Sequence, residues 1–483
     1  MRIRCLIPIL LIAAASVRAQ TNVSGNVYGV WTPEGNPYNV VGAVTVPDNH
    51  YLTIMPGVEV RFTGYYGITV LGGMCAWGTE QDSVKFYVST GQIPGYWRYI
   101  EYRDVISDST TLRYCLIESG DRAVYASGSW VTLDHCLIQA HDMSPIKGLD
   151  ADITLVGCAV TNNGESGLSL QNTAVDLQDC SISYNSGTNG RGINASGGGS
   201  IAVNGGYIGH NTGSGIYGLQ VGSVNLQNVE IADNGDGGVE LTLCSQLTAS
   251  RVCIHDNDFH GIFLSSTALD GRNLTISSNL DDGIFSSGAA LELSSSIVDH
   301  NGNWGAYLQT GAGNLSYNDF YSNAGGNYFG ATPGSGSIEE DPHYTNYGAR
   351  NYNLEAGSPC IDTGNPNDPL DPDGTRTDMG AFYFNQSPVA PESGPPAHFE
   401  IFTAYPNPFN PILNVRISAV RPEQARLQAW TADGRLAAII WEGRLNSGLN
   451  EIQWHANSNS SGLYFLRLDA QGSRSALPCI LIK

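Results

Sequence analysis

Apolar and polar residues alternate along most of this 483-residue chain in short runs, as in Val224-Asn225-Leu226 and Val229-Glu230-Ile231. Such runs predict strands with one buried face. A phrase recurs between them: an apolar alternation, Asn, three residues, Gly, a second alternation. It reads VEIADNGDGGV, VCIHDNDFHGI, LTISSNLDDGI and SIVDHNGNWGA. The asparagines are Asn163, Asn185, Asn211, Asn234, Asn257, Asn279, Asn301 and Asn323, in steps of 22, 26, 23, 23, 22, 22 and 22. The long step is an insertion between Asn185 and Gly192. A period near 22 is too short for a helix plus a strand but holds three strands and three turns, which predicts an all-β solenoid of stacked coils. Equivalent residues then form ladders along the axis at roughly 4.8 Å. Asn at the same turn can bond its neighbours above and below, and the Gly is expected to supply a backbone conformation that a Cβ disfavours.

Counting the turn Asn as position zero, positions plus five and plus seven face inward, and plus three and plus six face outward beside one strand. Coils lacking the Asn align on Ile100, Val124 and Ile146. The plus-six column reads Glu101, Tyr125, Lys147, Ser169, Asn194, Tyr217, Glu240, Phe263, Phe285 and Tyr307. Its later half, flanked by His260, Asp282 and Trp304 from plus three, is the candidate binding strip, because aromatic faces stack on sugar rings and exposed apolar rows mark interaction sites. Two plainer explanations compete. Stacked aromatics can simply stabilise the coils, or the segment after Gly330 can fold back over them.

Composition sharpens the picture. Arg2 and Arg4 precede an apolar run from Leu6 to Ala15, and Val17-Arg18-Ala19 offers a cleavage site, so residues 1–19 read as an export signal. Its removal takes Lys+Arg from 23 to 20 against 45 Asp+Glu, a net charge of −25. That balance repels nucleic acid, and no other segment is apolar enough to span a bilayer. Ten cysteines would suggest disulfides in an exported chain. Yet Cys115, Cys136, Cys158 and Cys180 recur at 21, 22 and 22 residues, a buried column whose pairing stays open; Cys75, Cys244, Cys253, Cys360 and Cys479 follow no pattern.

Together with YNVVGAVTVPDNHYLTIMPGVEVRFTGYYGITVLGGMCAWGT near the start, these coils resemble the right-handed parallel β-helix superfamily, the pectin-lyase-like proteins, over residues 20–385. The superfamily includes lyases, hydrolases, epimerases, adhesins and spacers, so the resemblance implies fold more than activity. SPCIDTGNPNDPLDPDGTRTDMGAFYF resembles the closing segment of bacterial members. Its Asp368, Asp371, Asp373 and Asp378 suggest a calcium site, or else a solvated turn that caps the helix end.

Catalytic candidates are His260 with Asp282, Asp281 and Asp258, as paired carboxylates beside a general acid or base, and separately Lys147 with Arg122. The family's hydrolases place two aspartates before a Gly-His-Gly turn. Here the order is reversed and Phe259 replaces the first Gly. The lyases need a basic residue near acidic calcium ligands, and Arg122 and Lys147 lie several coils from the acidic cluster. The reading therefore favours a non-enzymatic exported protein binding a glycan or surface partner through Tyr217, Glu240, Phe263, Phe285, Trp304 and Tyr307. The alternative is a polysaccharide lyase or glycoside hydrolase acting on the same face.

A Pro/Ser linker at 386–398 divides off residues 399–483, strand-rich with turns at Ala432-Asp433-Gly434, Asn446-Ser447-Gly448 and Ser460-Ser461-Gly462, which predicts a small Ig-like β-sandwich. Tyr405-Pro406-Asn407-Pro408-Phe409-Asn410-Pro411, the strand from Gly462 to Leu468 and the terminal Lys483 resemble the type A sorting domain of the type IX secretion system. That resemblance implies passage through the outer membrane of a Gram-negative bacterium, then surface attachment or release. Cys479 departs from the family, which more usually has a bulkier or charged residue there.

Overall fold

The computed structural model describes residues 20–88, 94–107 and 110–386, and 399–481 apart from 406, 408, 420, 421, 432–434, 471 and 472. The export signal, the linker beyond residue 386, the turn at 432–434 and the terminal Lys lie outside the described residues. The chain divides into two compact units, one ending at Gln386 and the other spanning Ser387–Lys483.

The first unit is a β-solenoid of about 14 coils. Each full coil gives one strand to each of three parallel faces. In one coil these are Val239–Thr242 on a first face, and Gln246–His255, which bends to serve the second and third. Rungs pair in register with the next, apart from shifts after Val23 and after Ser286. The inward positions Ile216, Val239, Ile262 and Ile284 are fully buried and form one apolar column along the axis.

The corner between the third and first faces is built by the asparagine ladder. Asn257 Nδ2 donates to Asn279 Oδ1 at 2.8 Å and Asn279 Nδ2 to Asn301 Oδ1 at 3.0 Å, with backbone N–H groups donating to the same oxygens. All eight asparagines are buried, so each bond is made away from competing water. The following glycines serve a different purpose from the one expected. Gly261 does not adopt positive φ; a Cβ there would stand 2.7 Å from Gly283 O and Ile276 Cγ2. The left-handed conformation belongs instead to the residue before each Asn, such as Asp233, Asp256, Ser278 and His300. Space, not φ, selects the glycine.

Cys115, Cys136, Cys158 and Cys180 are buried free thiols on successive coils. Their Sγ atoms donate to backbone carbonyls, Cys136 to Leu112 at 3.2 Å and Cys158 to Leu133 at 3.3 Å. The other described cysteines are also free. Cys253 and Cys360 belong to small apolar clusters outside the coil interior.

Residues after Phe329 do more than cap the helix end. Ile338 bridges Asp319 to close the last coil. The chain then returns along the third face. Ile297 is buried with Leu354, Cys360 and Met379, and Cys253 with Tyr352 and Ala381. Polar ties hold the segment down: Asn273 Nδ2 donates to Asp378 O at 2.8 Å, Tyr344 Oη to Asp299 Oδ1 at 3.1 Å, and Arg350 pairs with Asp233 and Asp256.

The second unit holds two antiparallel sheets. One orders Phe399–Tyr405, Ile412–Ala419 and Gly448–His455; the other orders Leu436–Leu445, Glu423–Thr431, Gly462–Ala470 and Ser473–Leu481. They share a core including Leu413, Val415, Leu427, Trp454 and Leu466, as the alternation predicts. Phe409 of the Tyr405–Pro411 motif is buried against Trp454, and its N–H donates to Ile480 O at 2.8 Å. Asn407 Oδ1 accepts from Ile480 N–H at 2.8 Å. The motif thus pins the last strand, and Cys479 sits inward in that core. Among the described residues no helix is long and apolar enough to cross a membrane.

Candidate functional site

The plus-six column is one continuous ladder on the first face. Glu101 pairs with Tyr125, then Lys147, Ser169, Asn194, Tyr217, Glu240, Phe263, Phe285 and Tyr307. It extends one rung further, to Phe329. That rung was available from Asn323, six residues earlier, although Asn327 replaces the usual Gly.

The aromatic rungs stack on each other. Ring centroids are 5.0 Å apart for Phe263–Phe285, 5.3 Å for Phe285–Tyr307 and 4.3 Å for Tyr307–Phe329, with planes within 10°. Interior rings therefore use their faces on each other and turn their edges outward, so sugar stacking along the whole row is not what they offer. Arg191 covers Tyr217, its guanidinium carbon 3.7 Å from the ring centroid. Apolar surface remains at Phe329 (43% exposed), which Trp304 meets at a tilt, and at Phe259 (41%) and Leu280 (69%), both unanticipated from the sequence.

His260 and Asp282 are adjacent rungs of the plus-three column, and both are buried. The Asp282 N–H points to His260 Nδ1 at 3.3 Å, and Asp282 Oδ1 accepts from Trp304 N–H at 2.9 Å. Asp282 Oδ2 and Asp281 Oδ2 lie 3.4 and 3.7 Å from the same ring nitrogen. Burial pushes Asp282 up to about 6, against the pull of the Trp304 N–H. Burial also holds the imidazole below its usual value, opposed by the Asp281 and Asp236 carboxylates. Glu240 is raised by burial although Ser214 Oγ and Gly237 N–H both donate to it. Asp258 is exposed one turn away.

The basic candidates stand apart. Arg122 Nη1 donates to Ser144 O at 2.8 Å, and Lys147 Nζ lies 5.3 Å from the Tyr125 ring centroid. Six rungs separate Arg122 from His260, roughly 29 Å at the usual strand spacing. Base and acids therefore do not share a site.

The four closing-segment aspartates do not converge on a cation. Asp368 Oδ2 accepts from Ser295 Oγ, Asp371 Oδ2 from Asp378 N–H, Asp373 from Thr375 and Gln386, and Asp378 from the N–H groups of Asp362 and Phe384. Asp371 also pairs with Arg251 at 3.4 Å. Their oxygens are spent on closing loops. A cavity of about 370 Å³, lined in part by Glu230, Arg251, Cys253, Phe382 and Tyr383, lies on the third face away from the strip.

Residues 150–280 match the family model of the right handed beta helix region. The solenoid is a right-handed β-helix. Among solved structures, pectate lyase Pel9A is similar at 13% identity over 76% of this chain and 98% of its own, with a TM-score of 0.36. The gp42 tailspike of Acinetobacter phage vb_AbaP_AS12 is similar at 9% identity over 91% and 77%, with a TM-score of 0.26. Likenesses this distant carry no argument about activity. No curated protein sequence matches the chain.

Proposed function

We propose that this protein is an exported β-helix, surface-attached or secreted, that presents its first face to a glycan or another surface partner without transforming it. The observation that carries this reading is a contrast of cover. The closing segment shields the apolar residues of the third face, while the strip from Tyr217 to Phe329 keeps its ring edges, Trp304, Phe259 and Leu280 in partial contact with solvent. Contact would centre on the His260–Trp304 end, where ring faces are not all taken. Export rests on residues 1–19, and surface delivery on the sorting motif at Tyr405–Pro411. Loss of residues 399–483 is expected to strand the protein in the periplasm.

The enzymatic alternative has one observation in its favour: a buried carboxyl raised to about 6 beside an imidazole, a pairing suited to proton transfer. The test is a screen of the full chain against neutral and acidic polysaccharides, following binding, reducing ends and absorbance of unsaturated products. Binding without product is expected, weakened about tenfold in Trp304→Ala or Phe329→Ala, the size of one aromatic contact. Product that vanishes in Asp282→Ala or Lys147→Ala overturns the non-enzymatic reading.

A further inference from the structure

Among the described residues, His260, Asp281 and Asp282 form the group whose nitrogen and oxygen atoms are close enough to share one ion, all within 4.8 Å of one another. Hydrogen bonding explains why they await a partner. A ring nitrogen that accepts the Asp282 N–H carries no proton. His260 Nδ1 therefore directs its lone pair to the Asp282 N–H and offers no proton to the two carboxylate oxygens that lie 3.4 and 3.7 Å away. The Asp282 side chain is only 4% exposed, and its Oδ1 is fixed by Trp304 N–H, which leaves Oδ2 facing the ring. Neither carboxylate pairs with a Lys or Arg among the described residues. Asn303 and the Trp304 N–H both donate to Asp282, and the Asp282 N–H reaches Nδ1 only at 3.3 Å. The ring nitrogen and the two carboxylates still converge with no cationic side chain among them, an arrangement that a cation favours.

The separations indicate which cation. Bonds of about 2.0–2.2 Å to nitrogen and oxygen place ligand atoms of a tetrahedral zinc about 3.3–3.5 Å apart. The two separations from Nδ1, 3.4 and 3.7 Å, lie within and just above that span. Calcium takes six to eight oxygens and longer bonds, and imidazole suits it poorly. The Trp304 N–H on Asp282 is the kind of outer contact that orients a metal-binding carboxylate.

We propose that His260 Nδ1, Asp281 and Asp282 bind one divalent transition-metal ion of the zinc type, leaving its remaining coordination positions to water or to a ligand on the first face. Binding requires the Asp282 N–H to release Nδ1, a small change because that bond is already long. The proposal stands apart from glycan binding, since it is tested with the ion alone.

The full chain, stripped with a chelator and dialysed at pH 7.5, is titrated calorimetrically with Zn²⁺, and in parallel with Mn²⁺ and Ca²⁺. One equivalent of Zn²⁺ and a higher Tm are expected. His260→Gln and Asp281→Asn should each weaken Zn²⁺ binding at least tenfold. Asp281→Asn is the folding control, because that side chain is 31% exposed and makes no hydrogen bond to another of the described residues. Asp373→Asn, in the closing segment, should leave the titration unchanged. The proposal is overturned by an absence of zinc binding, by binding that survives both site variants, by loss of binding in Asp373→Asn instead, or by Ca²⁺ binding as tightly without need of His260.

Discussion

Two faces of the same coils solve one problem differently. On the third face, Cys253, Thr275 and Ile297 are successive outward rungs, and all are buried because residues 341–385 lie over them. On the first face, Phe263, Phe285 and Tyr307 are successive outward rungs of the same coils, and they cover each other. The reason is a match of lengths. Parallel strands are roughly 4.8 Å apart, and these ring centroids are 4.3 to 5.3 Å apart. Aromatics in register therefore stack without further arrangement, each pair adding about 0.5–1.5 kcal/mol. Cys and Ile rungs cannot shield one another this way and need a second layer of chain. An outward apolar residue in a solenoid is thus not in itself an interface; its neighbours above and below decide.

The strongest way to break this contrast is at the corner that keeps both faces in register. Asn279 accepts from Asn257 N–H and Nδ2 and donates to Ile254 O and Asn301 Oδ1. Asn279→Ala leaves several buried groups unpaired, at about 1–3 kcal/mol each before relaxation, so a loss of about 3 kcal/mol is expected in urea unfolding. A loss below about 1 kcal/mol would mean that strand pairing alone sets the register. Met379→Ala separates the faces instead. Its fully buried side chain packs on Ile297 through the closing segment, and its truncation should cost about 2–3 kcal/mol. The effect should be confined to the third face: Cys253 and Cys360 become reactive toward a thiol reagent, while Trp304 fluorescence holds steady. A simultaneous change at Trp304 would show that the two faces are coupled.

The first face was legible to the level of single rungs because the inward pair at plus five and plus seven fixes everything between. Even the insertion after Asn185 leaves Asn194 in its expected place beside Ser169 and Tyr217. Ring orientation was not legible in the same way. Alternation says that Phe285 points outward, and only its neighbours say that its faces are occupied. The course of the closing segment had no periodic signal at all. It is fixed by contacts such as Asn273–Asp378 and Arg350–Asp233, more than 100 residues apart in sequence. Its alternate aspartates resemble cation ligands because the same spacing also closes turns through backbone N–H groups. The His260–Asp281–Asp282 cluster was partly visible: the column placed His260 beside Asp282, but the sequence could not show that one nitrogen and two carboxylates come within 4.8 Å of one another.

The smallest expected effect separates the faces by pH. Burial under the closing segment raises Asp319 to about 7 and Asp378 to about 6, and also raises Asp299 and Asp371. A carboxyl released from the fold titrates near 4. Between these values the docked segment holds protons that the released one gives up, so docking is most stable below about pH 4 and weakens as pH rises through 6 and 7. His300, raised by its bond to Asp299, acts in the same direction. The phenylalanine rings of the first face have no ionisable group, so Phe263 and Phe285 contribute no matching dependence. Hydrogen exchange over residues 341–385, corrected for intrinsic rates, should show several-fold greater protection at pH 5 than at pH 8. Asp319→Asn keeps the shape of the carboxyl that accepts the Cys360 thiol at 3.2 Å while removing its titration, and should flatten the upper part of that profile. If the profile is unchanged in Asp319→Asn, the pH dependence belongs to Asp378 and its loop, and the hold on the third face lies nearer Arg251 than the last coil.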